Sequence, residues 1–174
     1  IITYSLVKLD INQKYTLGII VEKYNPDDTL ENYLKSQHIS YETILEQIIP
    51  SFISLLSFLE THNICAGNIR PENIIITANN NIKLKEFIHQ APYNTSDPYF
   101  TPPEFSTTIN TGRYTSDLKS DIYSIGMLIF YITQQGKMPN IIKNFNALRL
   151  ERGSYNLLTH KISKLPSKLK YFLI

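Results

Sequence analysis

The stretch that decides the fold runs from Thr61 to Asn73 and reads T-H-N-I-C-A-G-N-I-R-P-E-N. It connects two segments whose patterns are easy to interpret. Before it, apolar residues recur through Tyr41–His62 at helical spacing, which predicts a helix with a wide buried face. After it, residues 73–76 and 82–85 are short apolar runs around a polar turn, and they predict a β-hairpin. The stretch is therefore predicted to be a loop between a long helix and a hairpin.

The rest of the chain also favours helices. Pro50 falls inside the first helical pattern and should kink or divide that helix. Pro26 to Thr29 predicts a turn and a helix cap ahead of Leu30–Leu34, and Tyr15–Val21 has the composition of a strand. A second long helix is predicted over Ser120–Thr133. Its core-facing residues are predicted to be Ile122, Ile125, Leu128, Ile129 and Ile132. The predicted fold class is α+β and mostly α, with short β-hairpins.

The loop resembles the catalytic loop of protein kinases, whose pattern is H-R-D-L-x-x-x-N. In that family the Asp accepts the proton of the substrate hydroxyl and the Asn holds a Mg²⁺ ion. Here Ala66, Gly67 and Asn68 stand at the H-R-D positions, and Asn73 keeps the place of the metal-binding Asn. Arg70 stands for the Lys that would touch the transferring phosphate. Because an amide cannot accept a proton as a carboxylate does near neutral pH, the resemblance implies a loop without its general base.

Five further stretches match the same family in the same order, and the matches together cover roughly residues 4 to 139. They are the hinge-like Gly18–Tyr24, the Leu30–Leu34 that resembles the short helix after the hinge, the Glu86-Phe87-Ile88 at the D-F-G position, the Ser96–Glu104 that resembles the end of an activation segment, and the Lys119–Gly126 that resembles K-S-D-I/V-W/Y-S-x-G. The chain is thus similar to serine/threonine protein kinases, in a degenerate, pseudokinase-like form.

This resemblance assigns candidate roles to individual residues. Asn73 and Glu86 are the remaining metal candidates, whereas Glu22 and Tyr24 are the hinge positions that would face a nucleotide. Structural roles are implied for three residues. They are Phe87 of the D-F-G-like stretch, Glu104 of the A-P-E-like stretch, and Asp121, which in the family hydrogen-bonds the backbone of the catalytic loop.

Each of these residues also has a plainer interpretation. Asn68 suits a turn, since Asn tolerates left-handed backbone, and Asn73 could bond only the backbone of its own loop. Glu86 could be an ordinary surface carboxylate. Asp121 could be a helix N-terminal carboxylate that the helix dipole favours. For Asp121 the two interpretations are compatible.

The parts of a kinase that cradle phosphate are not found in the sequence. No two of the six glycines are spaced as G-x-G-x-x-G requires, and Lys8 lies in a strand before the hinge rather than at the V-A-I-K lysine. We therefore expect residues 1–24 to be a remnant of N-terminal-lobe strands and hinge. Residues 25–174 are expected to form a kinase-like C-terminal lobe that is truncated in its last helices.

Composition excludes several other classes of protein. The formal net charge of +2 is too small to indicate a nucleic-acid or anionic-membrane partner, and no apolar run is expected to reach transmembrane length. The single cysteine, Cys65, permits no intramolecular disulfide and favours a reducing, cytoplasmic compartment. The four histidines have no ligand spacing, and no G-x-S-x-G elbow supports a hydrolase.

Two functional hypotheses follow from the resemblance. The first is a catalytically inactive kinase-like domain that acts as a binding, regulatory or scaffolding module and needs no cofactor. Its apolar surface around Ile19, Val21 and the hairpin isoleucines is expected to be exposed, so that a protein partner or a neighbouring domain covers it. The alternative is a fragment of a divergent serine/threonine kinase, which would use ATP and Mg²⁺ and take its nucleotide-binding lobe from outside this segment.

Overall fold

A computed structural model describes residues 4–11, 14–21, 23–85, 99–102, 117–138, 160–170 and 173. Two antiparallel two-stranded sheets are present. Strand β1 (Tyr4–Ile11) pairs with β2 (Lys14–Val21), and β3 (Ile74–Ile76) pairs with β4 (Ile82–Leu84). The helices are α1 (Leu30–Ser36), α2 (Tyr41–Thr43), α3 (Ile49–Thr61), α4 (Leu118–Thr133) and α5 (Ser167–Lys170). The predicted class, α+β and mostly helical, is confirmed.

Short turns position α1 beside the hairpin. A 3₁₀ turn over Pro26–Asp28 leads to Thr29, whose side chain accepts a hydrogen bond from the Asn32 N–H and caps α1. Thr29 also forms a β-bridge with Ile75 of β3. The predicted turn and cap are confirmed, and they bring the start of α1 against the β3–β4 hairpin.

The long helix is irregular just before Pro50, a residue that has no N–H to donate to the preceding turn. Between α2 and α3, residues Ile44–Ile48 are π-helical, and the Ile49 N–H donates to the Ile44 carbonyl five residues earlier. A wider turn of this kind accommodates a break in the regular hydrogen-bond ladder. The helix is thus divided at this point, as the sequence predicts.

This helix also corrects an expectation about membrane segments. Residues Tyr41–Thr61 form a 21-residue helical span that contains an 18-residue window with a mean hydropathy of 1.3, which by length and composition alone would suffice to cross a membrane. The expectation that no apolar run reaches that length is therefore wrong. The core helix of a soluble protein passes the same test, and Ile44, Phe52 and Leu59 of this span lie in the protein core.

The hydrophobic core lies between α3 and α4 and beneath the β3–β4 hairpin. Helix α4 contributes the fully buried Leu128 and Ile132, and its Ile125 and Ile129 are buried as predicted. Ile122 is different, because 51% of its surface is exposed, and the prediction that it faces the core is wrong. The inward face of the first turns of α4 is taken by polar residues, namely Ser120, Asp121 and Ser124.

The β3–β4 hairpin is also better covered than the sequence suggests. Ile74, Ile75 and Ile76 are all buried, so the expectation that these isoleucines lie exposed is wrong. Contacts with α1 and the bridge from Thr29 provide part of the cover. The side chains of Ile19 and Val21 lie outside what the structure describes, so their exposure stays a prediction.

Candidate functional site

The loop between α3 and β3 has a backbone suited to its sequence. Gly67 adopts φ +70°, a left-handed conformation that glycine takes without the cost a side chain would add. A 3₁₀ turn over Pro71–Asn73 then leads into β3, with Pro71 in the first turn, where its missing N–H costs no hydrogen bond. The loop thus reaches the hairpin in a fixed path.

Asp121 of α4 forms hydrogen bonds with the backbone of this loop. Its Oδ2 accepts a hydrogen bond from the Ala66 N–H at 2.7 Å, and its Oδ1 accepts one from the Gly67 N–H at 3.0 Å. Asp121 itself is fully buried. Two adjacent backbone amides of the loop are therefore satisfied by one side chain from the first turn of α4.

Burial raises the pKa of the Asp121 carboxyl to about 6, although the hydrogen bonds from Ala66 and Gly67 lower it; the nearby Asp117 carboxylate raises it further. Asp121 is therefore mostly ionised at pH 7. Its ionised form is the stronger hydrogen-bond acceptor for the two backbone amides.

Asn73 is buried and directed at its own loop. Its side-chain Nδ2 donates to the Asn68 backbone carbonyl at 3.2 Å, and its backbone carbonyl accepts from the Lys85 N–H at 2.8 Å. This is the backbone-bonding arrangement that the plainer interpretation of Asn73 describes. A role in metal binding is left as a proposal.

Arg70 is buried as well, with only 5% of its surface exposed. Its guanidinium pairs with the half-exposed Glu72 carboxylate at 3.2 Å. Asn68, at the position of the missing base, is half-buried. The structure thus brings Asn68, Arg70, Asn73 and Asp121 together around one loop.

Tyr24 at the hinge meets a side chain that the sequence analysis did not consider. The Lys85 Nζ lies over the Tyr24 ring, 5.3 Å from its centroid. Such a cation–π contact stabilises by about 0.5–1 kcal/mol at exposed sites. Lys85 directly follows β4, so this contact links Tyr24 to the end of the β3–β4 hairpin.

Ser124 is a second residue that sequence reasoning missed. Its hydroxyl donates to the Phe100 carbonyl at 2.8 Å, and the Phe100 ring packs edge-on against Tyr131 at 5.7 Å. These contacts anchor residues 99–102, within the stretch that resembles the end of an activation segment, to α4. The only sequence signal was the serine in S-x-G, and the pattern does not show what it bonds.

Four candidate residues, Glu22, Glu86, Phe87 and Glu104, lie outside the residues that the structure describes. Within the described ranges, no group of three or more His, Cys, Asp or Glu side chains could hold a metal ion. The described part of the site therefore consists of amides, the cations of Arg70 and Lys85, the half-exposed Glu72 carboxylate and the buried Asp121 carboxylate.

The sequence model of the family described as "Protein tyrosine and serine/threonine kinase" matches residues 5–168. This match covers most of the chain and includes the loop, the hairpin and α4. The chain belongs to the protein kinase family. The matched residues include the loop between α3 and β3, which the sequence analysis compares with the catalytic loop.

Similar proteins include several with kinase names. The chain is 29% identical over 159 residues to "U-box domain-containing protein 70" of Oryza sativa subsp. japonica, covering 79% of this chain and 19% of that protein. It is 24% identical over 159 residues to "Serine/threonine-protein kinase ULK3" of Xenopus laevis, covering 86% of this chain and 32% of that protein. A "Putative serine/threonine-protein kinase R436" of Acanthamoeba polyphaga mimivirus is 26% identical over 130 residues, with 66% of this chain and 41% of that protein covered. The chain thus spans less than half the length of each.

Proposed function

We propose that this domain is a catalytically inactive, pseudokinase-type member of the kinase family that serves as a binding, regulatory or scaffolding module. The observation that carries the proposal is Asn68, an amide at the position of the general base, in a loop that Asp121 still holds by two hydrogen bonds. The support that shapes the loop is present while the group that would remove the substrate proton is absent.

Two neighbouring features support the same proposal. The Asn73 side-chain amide donates a hydrogen bond to the Asn68 backbone carbonyl. The Arg70 side chain is buried and pairs with Glu72 instead of extending into solvent. The sequence also has no G-x-G-x-x-G motif to cover a triphosphate. Positioning and charge stabilisation, which supply most of the catalysis in phosphoryl transfer, would both be weak here.

The alternative is a divergent serine/threonine kinase that transfers the γ-phosphate of ATP to protein, with its nucleotide-binding lobe outside this segment. The kinase names of the relatives and the retained Asn73 favour it. Under this alternative, Asn73 and Glu86 would hold Mg²⁺, and Glu22 and Tyr24 would face the base.

A protein partner or neighbouring domain is proposed to cover the β1–β2 side of the molecule. In the described residues this sheet has only two strands, so each strand has one edge without a paired strand. An isolated two-stranded hairpin is at best marginally stable in water, and open strand edges are ready pairing surfaces. The proposal also includes a cytoplasmic location and a degenerate ATP site. It requires no cofactor and no nucleic-acid or membrane partner.

Isothermal titration of this 174-residue chain with ATP tests the nucleotide part of the proposal. We expect a dissociation constant weaker than about 100 μM, which corresponds to roughly −5.5 kcal/mol. The physical reason is that the triphosphate finds no glycine loop, while Lys85 is engaged with the hinge residue Tyr24.

The titration is run with and without Mg²⁺, and with an Asn73→Ala variant as the matched control. Equal, weak heats in all four experiments are expected. Saturable binding tighter than about 100 μM that needs Mg²⁺ and Asn73 would favour the active-kinase alternative.

A further inference from the structure

The Asp121 carboxylate is buried without a cation acting on it among the described residues. On its own helix, the charged group that acts on it is Asp117, a like charge one turn earlier. From the loop packed against it come the Ala66 and Gly67 N–H groups, which carry no net charge. A buried carboxylate in such surroundings is held by hydrogen bonds alone, and its protonation state decides how strongly it accepts them.

Asp117 is fixed in its ionised form. Burial raises its pKa, but the hydrogen bonds from Ser120, the charge of Lys119 and the Lys119 N–H together outweigh this and lower the pKa overall. Its Oδ1 accepts from both the N–H and the hydroxyl of Ser120 at 2.8 Å, which caps α4. Asp117 therefore remains a negative neighbour when Asp121 takes up a proton.

We propose that Asp121 acts as a pH-dependent latch on the loop of residues 64–73. When ionised, it accepts strong hydrogen bonds from two backbone amides of the loop, and when protonated it binds them less strongly. On protonation, one carboxylate oxygen becomes a hydroxyl. The hydroxyl oxygen accepts a hydrogen bond more weakly than a carboxylate oxygen does, and its O–H needs an acceptor although an N–H donor faces it. One of the Ala66 and Gly67 bonds is lost or weakened. The loop that carries Asn68 and Asn73 then gains freedom in mildly acidic solution.

Acidification has the opposite effect on the Asp121 contribution to the free energy of unfolding, which increases. The folded pKa of Asp121 is raised from 3.8 to about 6. Its contribution to the free energy of unfolding is therefore fully present below 3.8 and is lost as the pH rises through 6. Acidification thus relieves the cost of a buried charge while it releases a loop amide, and these two effects can be measured separately.

Amide hydrogen exchange followed by NMR at pH 5.0 and pH 7.5, corrected for intrinsic exchange rates, tests the latch. In the natural chain, protection of the Ala66 or Gly67 amide should fall about three- to tenfold at the lower pH, the equivalent of one net hydrogen bond. An Asp121→Asn variant keeps one acceptor and one donor at every pH. Its loop amides should exchange at pH 7.5 as those of the natural chain do at pH 5.0, with no further change on acidification.

A second variant, Asp117→Asn, keeps a good helix cap and removes the like charge. It should shift the midpoint of the loop transition to lower pH. A flat protection profile in the natural chain, or the same pH response in Asp121→Asn, would overturn the latch. An unshifted midpoint in Asp117→Asn would contradict Asp121 as the titrating group.

Discussion

The substitution Asn68→Asp, which returns a carboxylate to the position of the missing base, should leave this chain without measurable phosphoryl transfer. A positioned general base contributes typically 10²–10⁴-fold, whereas enzymes lower barriers by roughly 8–23 kcal/mol in total. The remainder depends on groups that one substitution does not restore. Gly67 and Ile88 still depart from the family pattern, and the chain still contains no phosphate-binding glycine loop.

The measurement is transfer from labelled ATP, with Mg²⁺, to the chain itself and to a generic protein substrate. Asn68→Ala serves as the matched control, and thermal melts show that both variants are folded. Equal background counts are expected for the two. Transfer by Asn68→Asp that a further Asn73→Ala substitution removes would contradict the prediction.

Replacing Asp121 with Ala should lower the free energy of unfolding at pH 7 by about 1–3 kcal/mol. The Ala66 and Gly67 amides would lose their acceptor inside the protein, and each buried donor left unsatisfied is costly. Removal of the buried charge offsets part of this cost. Urea unfolding monitored by circular dichroism measures the net effect.

The loss should be larger at pH 5 than at pH 7. With a folded pKa of about 6 against 3.8, Asp121 contributes more stability to the natural chain at the lower pH, and the Ala variant lacks this contribution. Lys119→Ala, at an exposed position in the same helical turn, is the control and should change stability by less than about 0.5 kcal/mol. An Asp121→Ala variant that unfolds like the natural chain would refute the structural role of Asp121.

The elements that could be predicted from sequence are those with local signals. Helical periodicity placed α4 within two residues of its observed start at Leu118, and Pro50 marked where the long helix divides. The motif spacing placed Asn68 and Asn73 on one loop and Asp121 at the start of α4. These features depend on neighbours in sequence or on a family pattern.

What could not be predicted depends on contacts between distant residues. Ile122 looks like a core residue by periodicity, yet the inward positions of the first turns of α4 hold polar side chains that bond the loop and residue 100. The Lys85–Tyr24 contact joins residues far apart in sequence. The hairpin isoleucines are covered in part by α1, whose position no local pattern shows.

The central claim, that this kinase-family domain does not transfer phosphate, is tested most directly on the natural full-length protein that carries these residues. The measurement is transfer from labelled ATP in the presence of Mg²⁺, compared between that protein and its Asn73→Ala variant. We predict counts at the level of a protein-free control in both. Transfer by the natural protein that Asn73→Ala abolishes would show an active kinase and contradict the account.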